Sequence, residues 1–267
     1  MLLEEHWGPV TLLRMTRTLL GRPVRWVNAY TIDGLLIDSG PYWTRRELLA
    51  AAQRLGVRQV YVTHEHEDHC GGNGALYAGL GLVPQASAAS VPHLIAPPRI
   101  HLYRKIVWGD APPTPAQAVT RVDTERYHFE IIPTPGHSAD HTALYEPTQG
   151  WVFSGDLYLH ERAKYMRSDE NLAALIESLR RVAALEPRVL FCAHAGVVEA
   201  PAEAIARKLA YWEEMRANAA RLEAQGEPLP TVSAAVLGPE GPMTRFSRGH
   251  ISKLNLTRAL VALPHGR

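Results

Sequence analysis

Apolar positions along this chain recur at two spacings, every second residue and every third or fourth, and the alternation predicts strands exchanging with helices. Val27-Asn28-Ala29-Tyr30-Thr31-Ile32 and Leu35-Leu36-Ile37-Asp38 flank Asp33-Gly34, a strong short-range hairpin signal. Val10 to Met15 reads as an entry strand, and the remainder of residues 1–22 has no clear period. Thr44-Arg45-Arg46-Glu47 has the form of a capping box, followed by Leu48, Leu49, Ala52 and Leu55 on one helical side and Gly56 as the stop. Val57 to Val62 reads as a strand and a helix opens near Asn73, so this half is β-β-α-β-α.

Residues 87–118 interrupt the pattern. Six prolines, Pro92, Pro97, Pro98, Pro112, Pro113 and Pro115, punctuate a stretch that still carries Ile100, Leu102, Tyr103, Ile106, Val107 and Trp108. A long insertion with its own apolar content is a candidate lid or pocket wall, or else a cover for the core. Strand spacing returns around 119–123, 128–134, 143–146, 151–155 and 188–193. Between the last two, Leu172, Leu175, Ile176, Leu179 and Val182 predict a helix after Ser168-Asp169-Glu170. From Pro201 the composition shifts: Ile205, Leu209, Trp212, Met215 and Leu222 give a long amphipathic helix ending near Gly226. A Pro/Gly-rich segment and a second helix from about Arg248 to Leu263 follow. This divides the chain into residues 1–200 and a helical extension, 201–267, whose apolar stripe serves as core or as a homodimer surface. Periodicity alone leaves any layered α/β fold open.

Composition excludes more than it selects. The 267 residues are 46% hydrophobic and 21% charged with a formal net charge of +1, which gives no reason to expect a nucleic-acid or membrane partner. Met1 to His6 lacks the charged and apolar regions of a signal peptide, and no apolar run approaches the ~20 residues that span a bilayer, so the expected location is cytoplasmic. Two cysteines, Cys70 and Cys192, make no disulfide framework and read as small apolar fillers.

Chemistry concentrates in Thr63-His64-Glu65-His66-Glu67-Asp68-His69-Cys70-Gly71-Gly72, directly after the strand 57–62. Residues two apart on an extended segment share a face, so His64 and His66 converge on one point. Imidazole and carboxylate at this density are the ligands of Zn²⁺ and similar metals.

The run His64-x-His66-x-Asp68-His69 with Gly71-Gly72 resembles the signature of the metallo-β-lactamase-fold superfamily, and the resemblance covers about residues 25 to 200. It implies an αββα sandwich and three further ligands, which stand in order as His137 in Thr134-Pro135-Gly136-His137-Ser138, Asp156 in Phe153-Ser154-Gly155-Asp156, and His194 at the end of Val189-Leu190-Phe191-Cys192-Ala193. By the superfamily pattern His64, His66 and His137 hold one metal, and Asp68, His69 and His194 the other, with Asp156 bridging. Two such ions share a water, depress its pKa from 15.7 toward ~7 and deliver hydroxide to a carbonyl or phosphoryl centre. Asp68 passes the proton to the leaving atom.

The resemblance therefore implies a dinuclear hydrolase of a small ester, thioester or lactone, with two divalent ions, zinc foremost and iron or manganese the alternatives. Asp156 stands where class B1 β-lactamases have cysteine, which points to the glyoxalase II and lactonase branch. Position His66, where flavodiiron proteins usually have glutamate, points away from oxygen reduction. A mononuclear iron sulfur dioxygenase of the persulfide type is the alternative, followed by a phosphodiesterase or nuclease. Glyoxalase II also has a helical C-terminal part, but this one shows no clear counterpart of its basic and tyrosine contacts to glutathione.

Around the motifs, Asp38 in Asp38-Ser39-Gly40 resembles the acidic turn under the metals in this superfamily, and His141 is a second candidate to support a ligand. Tyr158 is a candidate oxyanion donor, and His160, Lys164, Tyr165 and Arg167 are candidate substrate contacts. The remaining histidines, His6, His93, His101, His128, His250 and His265, receive no role.

Overall fold

A computed structural model describes residues 1–264; His265 lies outside them. Strands β1 (Leu2–Trp7), β2 (Val10–Leu19), β3 (Arg22–Ile32), β4 (Leu35–Ile37), β5 (Gln59–Val62), β6 (Gln85–Ala86) and β7 (Gln117–Ala118) form one sheet in that order. Its first four strands are antiparallel and β5 to β7 add on in parallel. The second half contributes β8 (Arg121–Asp123), β9 (His128–Pro133), β10 (Thr142–Glu146), β11 (Trp151–Gly155), the short β12 (Met166–Arg167), β13 (Val189–Cys192), β14 (Gly196–Val198) and the short β15 (Ile251–Ser252). The second sheet runs β14-β13-β11-β10-β9-β8, and β12 pairs with β15 in a separate ribbon.

Strand alternation builds the sandwich. In β5, Tyr61 faces the layer between the sheets, whereas Val60 and Val62 face the helices outside. In β11 and β13, Phe153 and Phe191 point inward and stack at 4.6 Å, while Val152 and Leu190 point outward. The first sheet is covered by α1 (Arg45–Arg54), α2 (Glu67–Cys70), α3 (Asn73–Leu80), α4 (Val91–Ile95) and α5 (Leu102–Val107). The second carries α6 (Leu172–Ala183), α7 (Pro201–Ala224), α8 (Leu229–Leu237) and α10 (Lys253–Ala262), while the short α9 (Pro242–Phe246) lies against β15. The architecture is αββα with a helical C-terminal region. None of the described helices is long and apolar enough to cross a membrane.

Several local expectations need correction. Residues 1–22 form an antiparallel pair of strands and the start of a third, where sequence suggested one strand. Thr44 does not close a capping box: its hydroxyl donates to the Pro41 carbonyl because a 3₁₀ turn, Tyr42–Thr44, precedes α1. The helix after Ser168-Asp169-Glu170 is instead capped by Asn171, whose side chain accepts from the Ala174 N–H. The Pro/Gly-rich segment after Gly226 contains α8 and α9, whose prolines stand in the first turn, where no N–H is needed. Arg248, expected to begin the last helix, has φ +54°, and α10 starts only at Lys253.

The insertion is fastened to the body. Leu94, Val107 and Trp108 join the core outside the first sheet, and β7 extends that sheet. Cys70 and Cys192 lie in the two outer cores, and burial pushes both thiols up.

The C-terminal helices share the core of α6, and one contact is unusual: Lys208 is 1% exposed, donates to the His160 carbonyl at 3.0 Å and lies 4.2 Å from the Trp212 ring. Burial drives its pKa from 10.5 down to about 7. Between those values the unfolded chain binds more protons than the folded one, so stability must rise with pH across that window. Urea midpoints at pH 7 and 9.5 should show the wild type gaining on the order of 3 kcal/mol relative to Lys208→Met.

Candidate metal centre

The seven residues singled out in sequence converge at one edge of the sandwich, in loops leaving β5, β9, β11 and β13. The first loop must close tightly against residues 39–42. A Cβ on Gly72 would lie 2.3 Å from the Ser39 carbonyl oxygen, and one on Gly71 2.4 Å from the Tyr42 nitrogen, so the glycine pair is what permits the approach. Ser39 N–H then donates to the His69 carbonyl at 2.7 Å and fixes the turn.

Two groups of donor atoms result. His64 Nε2 lies 2.8 Å from His66 Nδ1, which is 3.0 Å from His137 Nε2. In the second group Asp68 Oδ2 stands 3.5 Å from His194 Nε2 and 3.8 Å from His69 Nε2. Asp156 spans them: Oδ2 is 3.1 Å from His137 Nε2, and Oδ1 is 3.3 Å from His69 Nε2 and 3.5 Å from His194 Nε2. All seven side chains are at most 11% exposed.

The far ring nitrogens decide what the near ones can do. Asp38 Oδ2 accepts from His69 Nδ1 at 2.7 Å and from the Thr63 hydroxyl at 3.0 Å. That hydroxyl therefore accepts from His64 Nδ1, also at 3.0 Å. His194 Nδ1 donates to the Trp26 carbonyl at 2.8 Å, and His137 Nδ1 faces Glu170 Oε1 at 2.8 Å. In the neutral imidazoles four Nε2 atoms are thus the ones with lone pairs, and they are aimed inward, the arrangement of metal-ligating histidines.

Chemistry of the donor set fits a divalent cation. His69 Nε2 and Asp156 Oδ1 are buried, make no hydrogen bond and face one another, and a cation between them would satisfy both. The carboxylates demand positive charge. Burial opposes a proton on His194, but Asp156 and Asp68 outweigh it and push this imidazole up to about 9. Metal binding must displace that proton.

Asp38, which holds His69 directly and His64 through Thr63, is 3% exposed. Replacing Asp38 by alanine should weaken metal binding by about 10–100-fold in a chelator competition titration. Unchanged affinity would mean the two imidazoles need no such support.

Other residues take varied places. His141 sits beneath Asp156: its Nε2 accepts from the Asp156 N–H at 3.0 Å, and burial together with His137 drives its pKa down to about 3, which keeps that nitrogen an acceptor. Arg167 braces the first group, with Nη2 donating to the His137 carbonyl at 2.6 Å and Nη1 3.4 Å from both His66 Nδ1 and His137 Nε2. Tyr158 packs into the core under α7, its ring 5.7 Å from Lys208 Nζ. His160 and Lys164 are exposed, and Tyr165 turns toward Gly241 and Lys253.

Sequence reasoning missed Glu170, which faces His137, and the buried pair of Glu67 with Arg104, joined at 2.7 Å between Nε and Oε1. Glu170 looked like part of a helix start, and Glu67 like a spacer inside the motif. Trp108, from the insertion, lies 6.0 Å from the His194 ring.

The model of the metallo-beta-lactamase superfamily matches residues 24–194, more than half of the chain and all seven donor residues. The chain belongs to the metallo-beta-lactamase superfamily. Among curated members, an atrochrysone carboxyl ACP thioesterase of Aspergillus fumigatus is 29% identical over 203 residues, 70% of this chain and 57% of that protein. A hydroxyacylglutathione hydrolase of Legionella pneumophila is 30% identical over 146 residues, 54% of this chain and 51% of that protein. The chain thus spans about half the length of the curated relatives it matches. Among solved superfamily structures, a beta-lactamase domain protein from Burkholderia ambifaria superposes with a TM-score of 0.71 at 19% identity, covering 96% of this chain and 85% of that one. A metallo-beta-lactamase family protein from Thermus thermophilus gives 0.68 at 20% identity, covering 96% and 92%. Shared fold therefore runs beyond the superfamily core into the helical C-terminal region.

Proposed function

We propose that this chain is a dinuclear metal-dependent hydrolase acting on a small ester, thioester or lactone, with a thioester the preferred substrate. The observation that carries the reading is the Asp156 carboxylate, which turns one oxygen to each group of histidines. The names of the two relatives, a thioesterase and a hydrolase of hydroxyacylglutathione, support an acyl-transfer reaction to water.

His64, His66 and His137 would hold one ion and Asp68, His69 and His194 the other, with Asp156 between; zinc suits the set. When bound, two divalent cations would activate a shared water at neutral pH and polarise the substrate carbonyl. The chain supplies the rest. Asp38, Glu170 and the Trp26 carbonyl hold the imidazoles in orientation. Asp68, buried beside His194, is placed to take the proton of the attacking water and return it to the leaving sulfur or oxygen. A C–O bond forms, the C–S or C–O bond of the ester breaks, and the proton ends on the departing thiolate or alkoxide. Arg167, beside His66 and His137, can fix a substrate oxygen. Residues 1–200 carry this chemistry, and 201–267 shape the entrance.

The test is thiol release from acyl thioesters before and after chelation. Turnover should vanish in the metal-free protein and return with zinc. Turnover persisting without metal would defeat the reading, and oxygen consumption with a persulfide would replace it by the iron dioxygenase.

A further inference from the structure

A cleft of about 760 Å³ lies between α5 and the loop of residues 246–250, outside the seven donor residues. Its walls include four rings, His101, Tyr103, Phe246 and His250. The His101 and His250 rings stack at 4.0 Å, Tyr103 Oη lies 2.8 Å from His250 Nδ1, and Phe246 meets Tyr103 edge-on at 5.9 Å. Phe246 is 46% exposed, an apolar ring left on the cleft wall. Sequence gave the two histidines no role, and the metal centre does not use them.

The cleft is wired to that centre. His250 Nε2 lies 3.4 Å from Asp169, a wall residue. Asp169 accepts from Arg167 Nε at 3.0 Å, and Arg167 Nη1 stands 3.4 Å from His66 and His137. One carboxylate and one guanidinium therefore separate the rings from the first group of histidines. The β12–β15 ribbon holds both sides in register, with the Ser168 N–H donating to the His250 carbonyl at 2.9 Å.

We propose that this cleft seats a planar aromatic acyl arm of the substrate, with its carbonyl carbon directed past Arg167 to the metal centre. The volume suits a small-molecule site, and rings prefer offset or edge-on contact with other rings. An alkyl chain would gain area but no ring–ring geometry, and a polar arm would leave Phe246 facing water. The proposal rests on the hydrolase reading for the reaction but not for binding.

The zinc-loaded full chain should bind 2-naphthoate, measured by isothermal titration, and hydrolyse a 2-naphthoyl thioester of N-acetylcysteamine in preference to the acetyl and octanoyl thioesters. Phe246→Ala should raise KM for the naphthoyl substrate about tenfold with kcat kept, and so shrink the preference for naphthoyl over acetyl thioester by a similar factor. His101→Ala, also at an exposed position, should act in the same direction and guards against a folding defect in the first variant. Naphthoate binding that Phe246→Ala weakens, in a protein that hydrolyses nothing, would uphold the cleft and defeat the hydrolase. Hydrolysis that favours octanoyl or acetyl over naphthoyl, or that is indifferent to both variants, would overturn the aromatic seat while leaving the hydrolase standing.

Discussion

Asp156→Asn should abolish paired metal binding and lower kcat/KM by about 10³-fold or more. The expectation follows from the use of both oxygens. Oδ2 faces the first group at 3.1 Å, and Oδ1, buried without a hydrogen bond, faces the second at 3.3 and 3.5 Å. An amide keeps the shape but turns an N–H₂ toward one group, where a donor hydrogen meets either a cation or an imidazole. Burial would raise the Asp156 pKa, but His194, His69 and His137 outweigh it and hold it well below the usual carboxylate range. The variant removes that charge and leaves the histidines facing each other. Added zinc should raise the Tm of the wild type markedly and that of the variant little, since stabilisation follows differential binding to the folded state. A variant that still bound two ions and kept its rate would show that Asp156 does not bridge.

Arg104→Met should cost about 3–5 kcal/mol of folding stability, the largest structural effect expected outside the donor residues. Glu67 is 1% exposed and its carboxylate meets the Arg104 guanidinium with two hydrogen bonds. Methionine fills the space but leaves the carboxylate buried and alone. Burial already pushes the Glu67 pKa up even with the arginine opposing it, and removal of the arginine would push it further. The folded variant then binds a proton that the unfolded chain has released, so the penalty is greatest near neutral pH and shrinks as pH falls through the raised pKa toward the unfolded value. Denaturant titrations at pH 5 and 7.5 read this directly. The double variant Arg104→Met/Glu67→Gln should recover part of the loss at pH 7.5, because no charge is stranded. Since Arg104 belongs to α5, the same substitution loosens the wall that carries Tyr103.

What could be read from the chain followed from locality. The strand 57–62 and the metal loop are contiguous, so spacing alone brought His64, His66, Asp68 and His69 together. Superfamily resemblance, rather than periodicity, supplied His137, Asp156 and His194, and the structure places them against the first four. Asp38 was legible through the same resemblance, and His141 because it stands four residues after His137. Glu170, the Trp26 carbonyl and the Arg104–Glu67 pair were hidden because their partners lie far away in sequence and no spacing links them. Proline and glycine content misled in the segment after Gly226, since it marks breaks but also helix first turns. Tyr158 looked available because it follows Asp156 closely, yet its ring packs in the core under α7. Nearness in sequence is a good guide along one loop and a poor one beyond it.

Metal content per chain, by elemental analysis of protein purified without a metal-affinity tag, tests the central claim most directly. Two divalent ions per chain, zinc or a mixed pair, is the result expected from two donor groups joined by Asp156. A single iron per chain, or no metal even after reconstitution, would contradict it.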